Sequence, residues 1–525
     1  MVNFNDIVYD SRAVKKGDLF CAIKGFAADG NDFVEAAIEK GAIAILSERD
    51  HPANGQRRWH PSTEGNSHLH NFEGSSPQNI QNPPVTIPLC GGVAAVSSAD
   101  GVVWIKTNNV KQEMAKIAKK HYGVNFDEIF CAAVTGTNGK TSIATITYEI
   151  LSQIFNENHC FLLGTAGNKI CGEFFEAART TPEAVDTLKM LGTAKNKIKA
   201  LSMEASSHAL VLDRLTEFYF DLAIFSNLTQ DHLDFHKTME EYYQAKKRLF
   251  TEHVKSDGVV IINIDDEYGR RLFGELGVCN TPLRVFSVGF SNDADYRISD
   301  AHCDTSGTFF KITRGQRLST PQKKTLKFRT KLIGNFNVIN CAQAVCGLLA
   351  KGFDETAVID GLAAVKQVEG RIDKVDMDSP FSVFVDYAHT PDALVKVLST
   401  ARKLCKGNLL CVFGAGGNRD KTKRPLMAKA VAENCDFAIL TSDNPRNEEP
   451  ADIINDVKDG FPSDFPFEII IDRKEAIKFA LKSAKAGDTI IIAGKGHEKY
   501  QEIAGVKHHF DDKEAARECW GKIKT

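Results

Sequence analysis

The sequence predicts an α/β protein of several domains, organised around mainly parallel, doubly wound sheets. Three observations carry this expectation. Apolar runs of strand length alternate with helix-like patterns from Phe130 to about Val365, and a second alternating block follows Arg371. A glycine loop, Thr135-Gly136-Thr137-Asn138-Gly139-Lys140-Thr141, joins the apolar run Ile129 to Val134 to the helix-like Ile143 to Ile154. The chain has 525 residues, which ordinary domain sizes divide into about three or four parts.

The opening stretch Ile7 to Arg12, then Gly17 to Ile23, the helix-like Phe33 to Lys40 and the strand-like Ala42 to Leu46 make a small α/β unit. From about 50 to 92 the composition turns to His, Asn, Pro, Ser, Gly and Gln with little periodicity, which reads as an exposed insertion. Its His51, His60, His68 and His70 are irregularly spaced, which favours a solvated loop over a metal site. A strand at Val102 to Ile105 and a helix from Val110 to His121 close this part. The central block has strands at Leu201 to Glu204, Leu222 to Phe225 and Gly258 to Ile262. The last block has strands at Ser382 to Asp386, Leu409 to Phe413, Phe437 to Leu440 and Thr489 to Ala493, with helices between. No solenoid repeat is visible.

A net charge of −3 gives no basic field for nucleic acid. The first residues lack the basic and apolar regions of a signal peptide, and no apolar run is long enough to span a bilayer. Thirteen scattered cysteines, odd in number and without a C-x-x-C pair, fit a reduced cytoplasmic setting rather than a disulfide framework or zinc knuckle.

Strand, glycine loop and helix together suit phosphate binding. Backbone N–H groups of the loop and helix N-terminus point at phosphate oxygens. Lys140 adds a point charge, and the Thr141 hydroxyl can hold Mg²⁺. Only two residues separate Gly136 from Gly139, fewer than in the general G-x-x-x-x-G-K-[ST] pattern. A bare G-x-x-G-K-T also occurs as an ordinary turn, but the flanking strand and helix favour a nucleotide. Acids and histidines follow two other strands, where open α/β sheets bind ligands. One set is Glu204 in Met203-Glu204-Ala205-Ser206-Ser207-His208. The other is Asn227, Asp231, His232, Asp234 and His236. Carboxylate oxygens suit Mg²⁺ bridging to phosphate, although either strand end alone also reads as a polar turn.

These motifs, with Thr180-Thr181-Pro182-Glu183, Gly334-Asn335-Phe336-Asn337-Val338-Ile339-Asn340, Gly370-Arg371, Asp386-Tyr387-Ala388-His389-Thr390-Pro391 and Asp443-Asn444-Pro445-Arg446, occur in an order that resembles the Mur ligase family. The resemblance covers almost the whole chain outside the insertion. It implies three domains: 1–125 binding UDP, 126–367 binding ATP on a central P-loop ATPase-like sheet, and 368–525 as a Rossmann-like domain binding an amino acid. The implied activity is ATP-dependent amide formation through an acyl phosphate, in peptidoglycan precursor synthesis. Within the family the set most resembles the members that add the third amino acid to a UDP-MurNAc-dipeptide.

By that resemblance Gly136, Thr137, Asn138, Gly139, Lys140, Thr141 and Ser142, with Asn340, Arg371, Asp386 and His389, bind ATP. Thr141 and Glu204 ligate Mg²⁺, with His208 near a second metal position. Lys246, in Tyr243-Gln244-Ala245-Lys246-Lys247-Arg248-Leu249-Phe250, matches a lysine carried as a metal-binding carbamate. By itself Lys246 reads as a helix-surface lysine. Tyr9, Ser11 and the turn Phe26, Ala27, Ala28 match the UDP grip. Thr180, Thr181, Ser206 and Arg214 match contacts to the muramoyl peptide or its diphosphate; Arg179 stands where the family usually has Asn.

Arg446 in Asp443-Asn444-Pro445-Arg446 is the variant that accompanies meso-diaminopimelate in the family. Arg419, Gly494 and Glu498 complete the matched pocket. A guanidinium can clamp the distal carboxylate that lysine lacks. Leaving it unpaired disfavours lysine by about 10²–10⁴ in selectivity. Alternatives are the same ligase using L-lysine, a folylpolyglutamate synthase-like ligase and a P-loop ATPase. A dinucleotide module on Gly414-Ala415-Gly416-Gly417 lacks a convincing third glycine and an acidic ribose partner. The expected partners are UDP-MurNAc-dipeptide, ATP and meso-diaminopimelate, with no nucleic acid, no membrane insertion and a monomeric chain.

Overall fold

The computed structural model describes residues 3–25, 28–50, 94–97, 101–177, 179–194, 196–278, 283–304, 307–315 and 324–524. The insertion expected from about 50 to 92 lies outside them beyond Asp50, as do Phe26 and Ala27. By internal contacts the chain forms two compact units. One comprises Met1–Ile129, Thr181–Ile198 and His208–Tyr219; the other comprises Phe130–Thr180, Lys199–Ser207 and Phe220–Thr525. The segments 181–198 and 208–219, which the sequence places in the central domain, thus group with the N-terminal one.

Packing within the first unit explains this grouping. Its sheet runs Ile7–Val8, Leu19–Cys21, Ala44–Ser47, Val103–Lys106, Ala94–Ser97, parallel except for the last pairing. Helix Val110–His121 is capped by the Asn109 side chain and buries Met114, Ile117 and Ala118. Helix Ala184–Gly192 packs against it. A Cβ on Gly192 would stand 2.3 Å from the Tyr122 carbonyl, so only glycine permits that approach. Asn109 donates to Asp213 at 3.2 Å, and Lys119 pairs with Glu217 at 3.1 Å.

In the second unit the central sheet places seven parallel strands in the order Cys160–Leu163, Ala200–Glu204, Phe130–Thr135, Phe220–Phe225, Val254–Asn263, Arg284–Gly289, Tyr296–Asp304. Antiparallel extensions flank both edges. The inner strands are buried along nearly their whole length, as expected of a sheet covered on both faces. Helices Lys140–Phe155 and Asn335–Lys351 cover one face through Ile143, Ile146, Ile150, Val338, Val345 and Leu348. Register sets the site: Glu204 pairs with Val134 and Phe225 with Thr135. Both strands therefore end beside the glycine loop.

The same unit holds a six-stranded sheet, ordered Asp373–Lys374, Ser382–Asp386, Thr489–Ala493, Leu409–Phe413, Phe437–Leu440, Phe467–Ile469 and parallel after its first pairing. Separate apolar clusters cover its two faces. The chain is a three-domain α/β protein, with a small N-terminal sheet, a large central sheet and this C-terminal sheet.

Candidate active site

The glycine loop turns tightly because its glycines occupy conformations and spaces closed to other residues. Gly136 has φ 150°, and a Cβ there would lie 1.9 Å from Ser226 Oγ. Gly139 has φ 86°, and a Cβ there would lie 2.7 Å from Asn340 Oδ1. Helix Lys140–Phe155 starts at once, aiming its free N–H groups into the loop. Asn138 N–H donates to Asn227 Oδ1 at 2.9 Å, and the Asn138 side chain donates to Asp392 at 2.8 Å. Lys140 folds back, with Nζ 2.9 Å from the carbonyls of Gly136 and Thr137. Burial lowers its pKa, opposed by Glu204 and Asp231. Ser142 is buried in the first helical turn.

Around this loop, Glu204 and Thr141 meet: the Thr141 hydroxyl donates to Glu204 Oε1 at 2.9 Å. Thr165 N–H donates to the same oxygen at 2.7 Å, and its hydroxyl lies 3.0 Å from that of Thr180. Arg371 Nη2 donates to Thr141 Oγ1 at 3.0 Å, and its guanidinium stacks 4.9 Å from the Tyr387 ring. His497 Nε2 lies 2.9 Å from the Thr165 carbonyl oxygen. These contacts bring the loop against the C-terminal sheet. Asp386 accepts from the N–H groups of Ile372 and Ala388 at 2.6 and 2.8 Å, and burial pushes its pKa up to about 6. Thr141 and Glu204 are hard oxygen donors of the kind Mg²⁺ takes when phosphate and water fill its remaining positions, so these residues fit that ion. Among the described residues no group of three or more His, Cys, Asp or Glu is arranged to hold a metal without such help.

Lys246 is buried, at 1% exposure, on helix Met239–Glu252. The helix-surface reading of it therefore fails; its neighbour Lys247 takes the outer role, pairing with Glu275 at 2.8 Å. Lys246 Nζ donates to the Gly136 carbonyl at 2.8 Å and lies 4.5 Å from the Tyr242 ring centre. Desolvation first, then Lys140, drive its pKa well below that of a free lysine, with Asp231 opposing. Asp231 itself meets the Lys423 ammonium at 3.1 Å and the His232 and His389 rings at 3.4 and 3.9 Å. Burial would raise the Asp231 pKa, but these three hold it far below the carboxylate range. His389 is pushed down to about 4 by desolvation and Lys423.

At the ends of the C-terminal strands, Asp443, Asn444 and Arg446 form one loop. Asn444 Nδ2 donates to Glu498 Oε2 at 2.8 Å. Arg446 Nη1 donates to the Gly417 carbonyl at 2.8 Å, and its Nε lies 3.3 Å from Glu502. Arg446 has φ 53°, a left-handed conformation uncommon for a residue with a side chain. The Pro445 carbonyl abuts Gly417, where a Cβ would stand 1.9 Å away. A Cβ on Gly494, φ 117°, would stand 2.4 Å from Asp443 Oδ2. Arg419 is exposed on the adjoining loop.

In the first unit the Tyr9 hydroxyl donates to Asp186 at 2.8 Å, and the Ser11 carbonyl accepts from Lys40 at 3.0 Å. Ala28 is exposed, and its carbonyl accepts from Gly25 N–H. Arg214 lies 2.8 Å from Glu183 and donates to the Thr181 carbonyl at 3.4 Å. His208 opens this unit's third segment. Ser206, half-buried, belongs to the second unit with Thr180.

Three groups escaped the residue-level reading: Thr165, Lys423 and Lys495. Lys495 lies between the named Gly494 and Glu498, but a single lysine resembles a surface charge until burial is known. Nothing in the local pattern marks Thr165 or Lys423.

Three family models cover most of the chain: Mur ligase family, catalytic domain at 3–68, Mur ligase middle domain at 134–348, and Mur ligase, glutamate ligase domain at 370–496. A relative from Clostridioides difficile (strain 630), UDP-N-acetylmuramoyl-L-alanyl-D-glutamate–2,6-diaminopimelate ligase, is 38% identical over 99% of this chain and 96% of its own. A solved structure of a ligase of that name aligns with TM-score 0.63 and 32% identity over 99% and 96% of the two chains. Folylpolyglutamate synthase of Mycobacterium tuberculosis aligns with TM-score 0.58 and 15% identity over 74% of this chain and 93% of its own, a likeness of fold alone.

Proposed function

The chain belongs to the Mur ligase family, and on that premise we propose that it joins meso-2,6-diaminopimelate to the D-glutamate of UDP-N-acetylmuramoyl-L-Ala-D-Glu at the expense of ATP. A carboxylate is a poor electrophile. Its oxygen first attacks the γ-phosphorus with departure of ADP; the amine then attacks the acyl carbon, phosphate leaves and a proton is lost. Catalysis rests on charge neutralisation and positioning.

The loop N–H groups from Gly136 to Ser142 and the Lys140 ammonium hold the β- and γ-phosphates. Asn340, Arg371, Asp386 and His389 shape the rest of the ATP site. Thr141 and Glu204 would hold Mg²⁺, which when bound neutralises charge developing on the transferred phosphoryl group. Lys246 adds CO₂ through its neutral amine to become a carbamate, releasing a proton and presenting an anion beside the loop; its depressed pKa favours the nucleophilic form. His208 is assigned beside a second metal position. Tyr9, Ser11, Ala28, Thr180, Thr181, Ser206 and Arg214 are assigned to the nucleotide-sugar peptide. Asp443, Asn444, Arg446, Gly494 and Glu498, with Arg419, receive the amino acid. On this reading the chain works as a monomer in the cytoplasm.

The observation that carries the reading is the pair of contacts joining Thr141 at the end of the glycine loop, and Thr165 beside Glu204, to the C-terminal domain: Arg371 to Thr141 at 3.0 Å and His497 to Thr165 at 2.9 Å. Acyl-phosphate ligation needs the amine pocket on the same side as the transferred phosphate, and these contacts supply that neighbourhood. The test is phosphate release from ATP with each substrate omitted in turn. Release should require both the UDP-muramoyl dipeptide and the amino acid. Steady release with neither present would identify a simple ATPase instead.

A further inference from the structure

Lys495 has no role in the assignments above, yet it is 0% exposed and sits at the centre of the amino-acid loop. It follows Gly494 at the end of strand Thr489–Ala493. Its Nζ donates to Asn444 Oδ1 at 2.9 Å and lies 3.5 Å from Asp443 and 3.6 Å from Glu498. We propose that Lys495 is a positioning residue for the incoming diamino acid: it fixes the Asn444 amide and keeps Glu498 an anion, ready for the substrate's distal ammonium. This inference rests on the ligase reading above and adds to it a residue that acts through others.

The geometry is directional. An ammonium offers three donors and no acceptor, so it can meet only the oxygen of Asn444. That oxygen also accepts Glu502 N–H at 2.9 Å. The Asn444 NH₂ is thereby turned towards Glu498, to which it donates at 2.8 Å. An ionised carboxylate only accepts, so each member of the row Lys495, Asn444, Glu498 constrains the next. Asp443, pressed against Gly494, is a second acid beside the same ammonium. Two buried carboxylates this close resist joint ionisation unless a cation sits with them. Full burial keeps Lys495 itself away from substrate.

The charged and titratable groups around Glu498 are Lys495, Asp443, Arg446, Arg473, Tyr387 and Tyr500. Burial raises the Glu498 pKa, Asp443 adds to the rise, and Lys495 is the leading counterweight. Without Lys495, Glu498 would take a proton at higher pH, and a neutral carboxyl does not pair with an ammonium.

The experiment is steady-state kinetics of full-length Lys495→Met with UDP-dipeptide, ATP, Mg²⁺ and meso-diaminopimelate, from about pH 8.5 to about pH 6. The KM for diaminopimelate should rise about tenfold or more, since a hydrogen bond to a charged group is lost. It should worsen further towards acid pH, while the KM values for ATP and the UDP-dipeptide stay within about twofold. Equal rises in all three KM values, or an unchanged diaminopimelate KM across the range, would overturn the proposal. If Lys495→Met lacks a cooperative melt, Lys495→Gln decides, because it keeps an amide donor for Asn444 without the charge. An acid-side rise in its diaminopimelate KM supports the proposal, and a pH-independent KM refutes it. Wild-type protein that forms no amide product would sink the ligase reading, which is a different outcome.

Discussion

Lys246 shows how burial changes the meaning of a residue. On a helix surface it would be an ordinary solvated cation; at 1% exposure, hydrogen-bonded to Gly136, it is an amine whose charged form burial disfavours beside the phosphate loop. Lys246→Ala should lose ligation and regain part of it with added short carboxylic acids, which can supply the missing anion. Intact mass under conditions that preserve the carbamate should show added CO₂ on the wild type. Full activity in Lys246→Ala removes the role. Arg446 makes the second residue-scale prediction. It is held by Gly417 and Glu502, so its guanidinium has a fixed orientation. Arg446→Ala should raise the KM for diaminopimelate sharply, by about 2–5 kcal/mol if the distal carboxylate stays buried and unpaired. The KM for ATP should move much less, and discrimination against L-lysine should shrink. An unchanged diaminopimelate KM would remove Arg446 from the pocket. The motif residues were legible because glycine, acid and arginine stand at fixed offsets after strands. Lys495 and Lys423 were not, because their meaning is burial, and a lone lysine in a sequence carries no mark of it.

At the scale of elements, alternation and length recovered strands of all three large sheets, and the helix from Val110 to His121 agrees with the observed one residue for residue. The register that sets Glu204 beside Val134, and so beside the loop, was beyond reach, since strand order is a tertiary property. So was the recruitment of helix Ala184–Gly192 to the first unit, which depends on Gly192 meeting Tyr122. The loop after strand Phe220–Phe225 and helix Lys423–Ala432 meet through Asp231 and Lys423, both buried. Removing one partner of such a pair leaves the other charge buried and costs on the order of 3 kcal/mol. Lys423→Met should therefore unfold at lower denaturant than the wild type near neutral pH. The Asp231 pKa is depressed in the folded protein, so its contribution is present above the unfolded carboxylate pKa and is lost as pH falls. The gap between variant and wild type should accordingly narrow in acid. A gap that is absent near neutrality, or that widens in acid, would show that the pair does not stabilise the fold.

For the whole molecule, the sequence anticipated a three-domain α/β ligase because the motifs fall in one order along the chain, and the family models and full-length relatives agree. Compactness was not readable in that order: by contacts the chain forms two units, one of them assembled from three separate stretches. Fold alone does not choose between cell-wall and folate substrates, as the likeness to folylpolyglutamate synthase shows. In the proposal the choice rests on Asn444, Arg446 and Glu498, an amide, a cation and a carboxylate that suit a substrate bearing both charges at each end. The most direct measurement is an amino-acid panel with UDP-N-acetylmuramoyl-L-Ala-D-Glu, ATP and Mg²⁺, read by product mass. The account predicts one dominant amide product, that of meso-diaminopimelate, with L-lysine far behind. Equal or better use of L-lysine would contradict the substrate assignment, and no amide product from any amino acid would contradict the ligase itself.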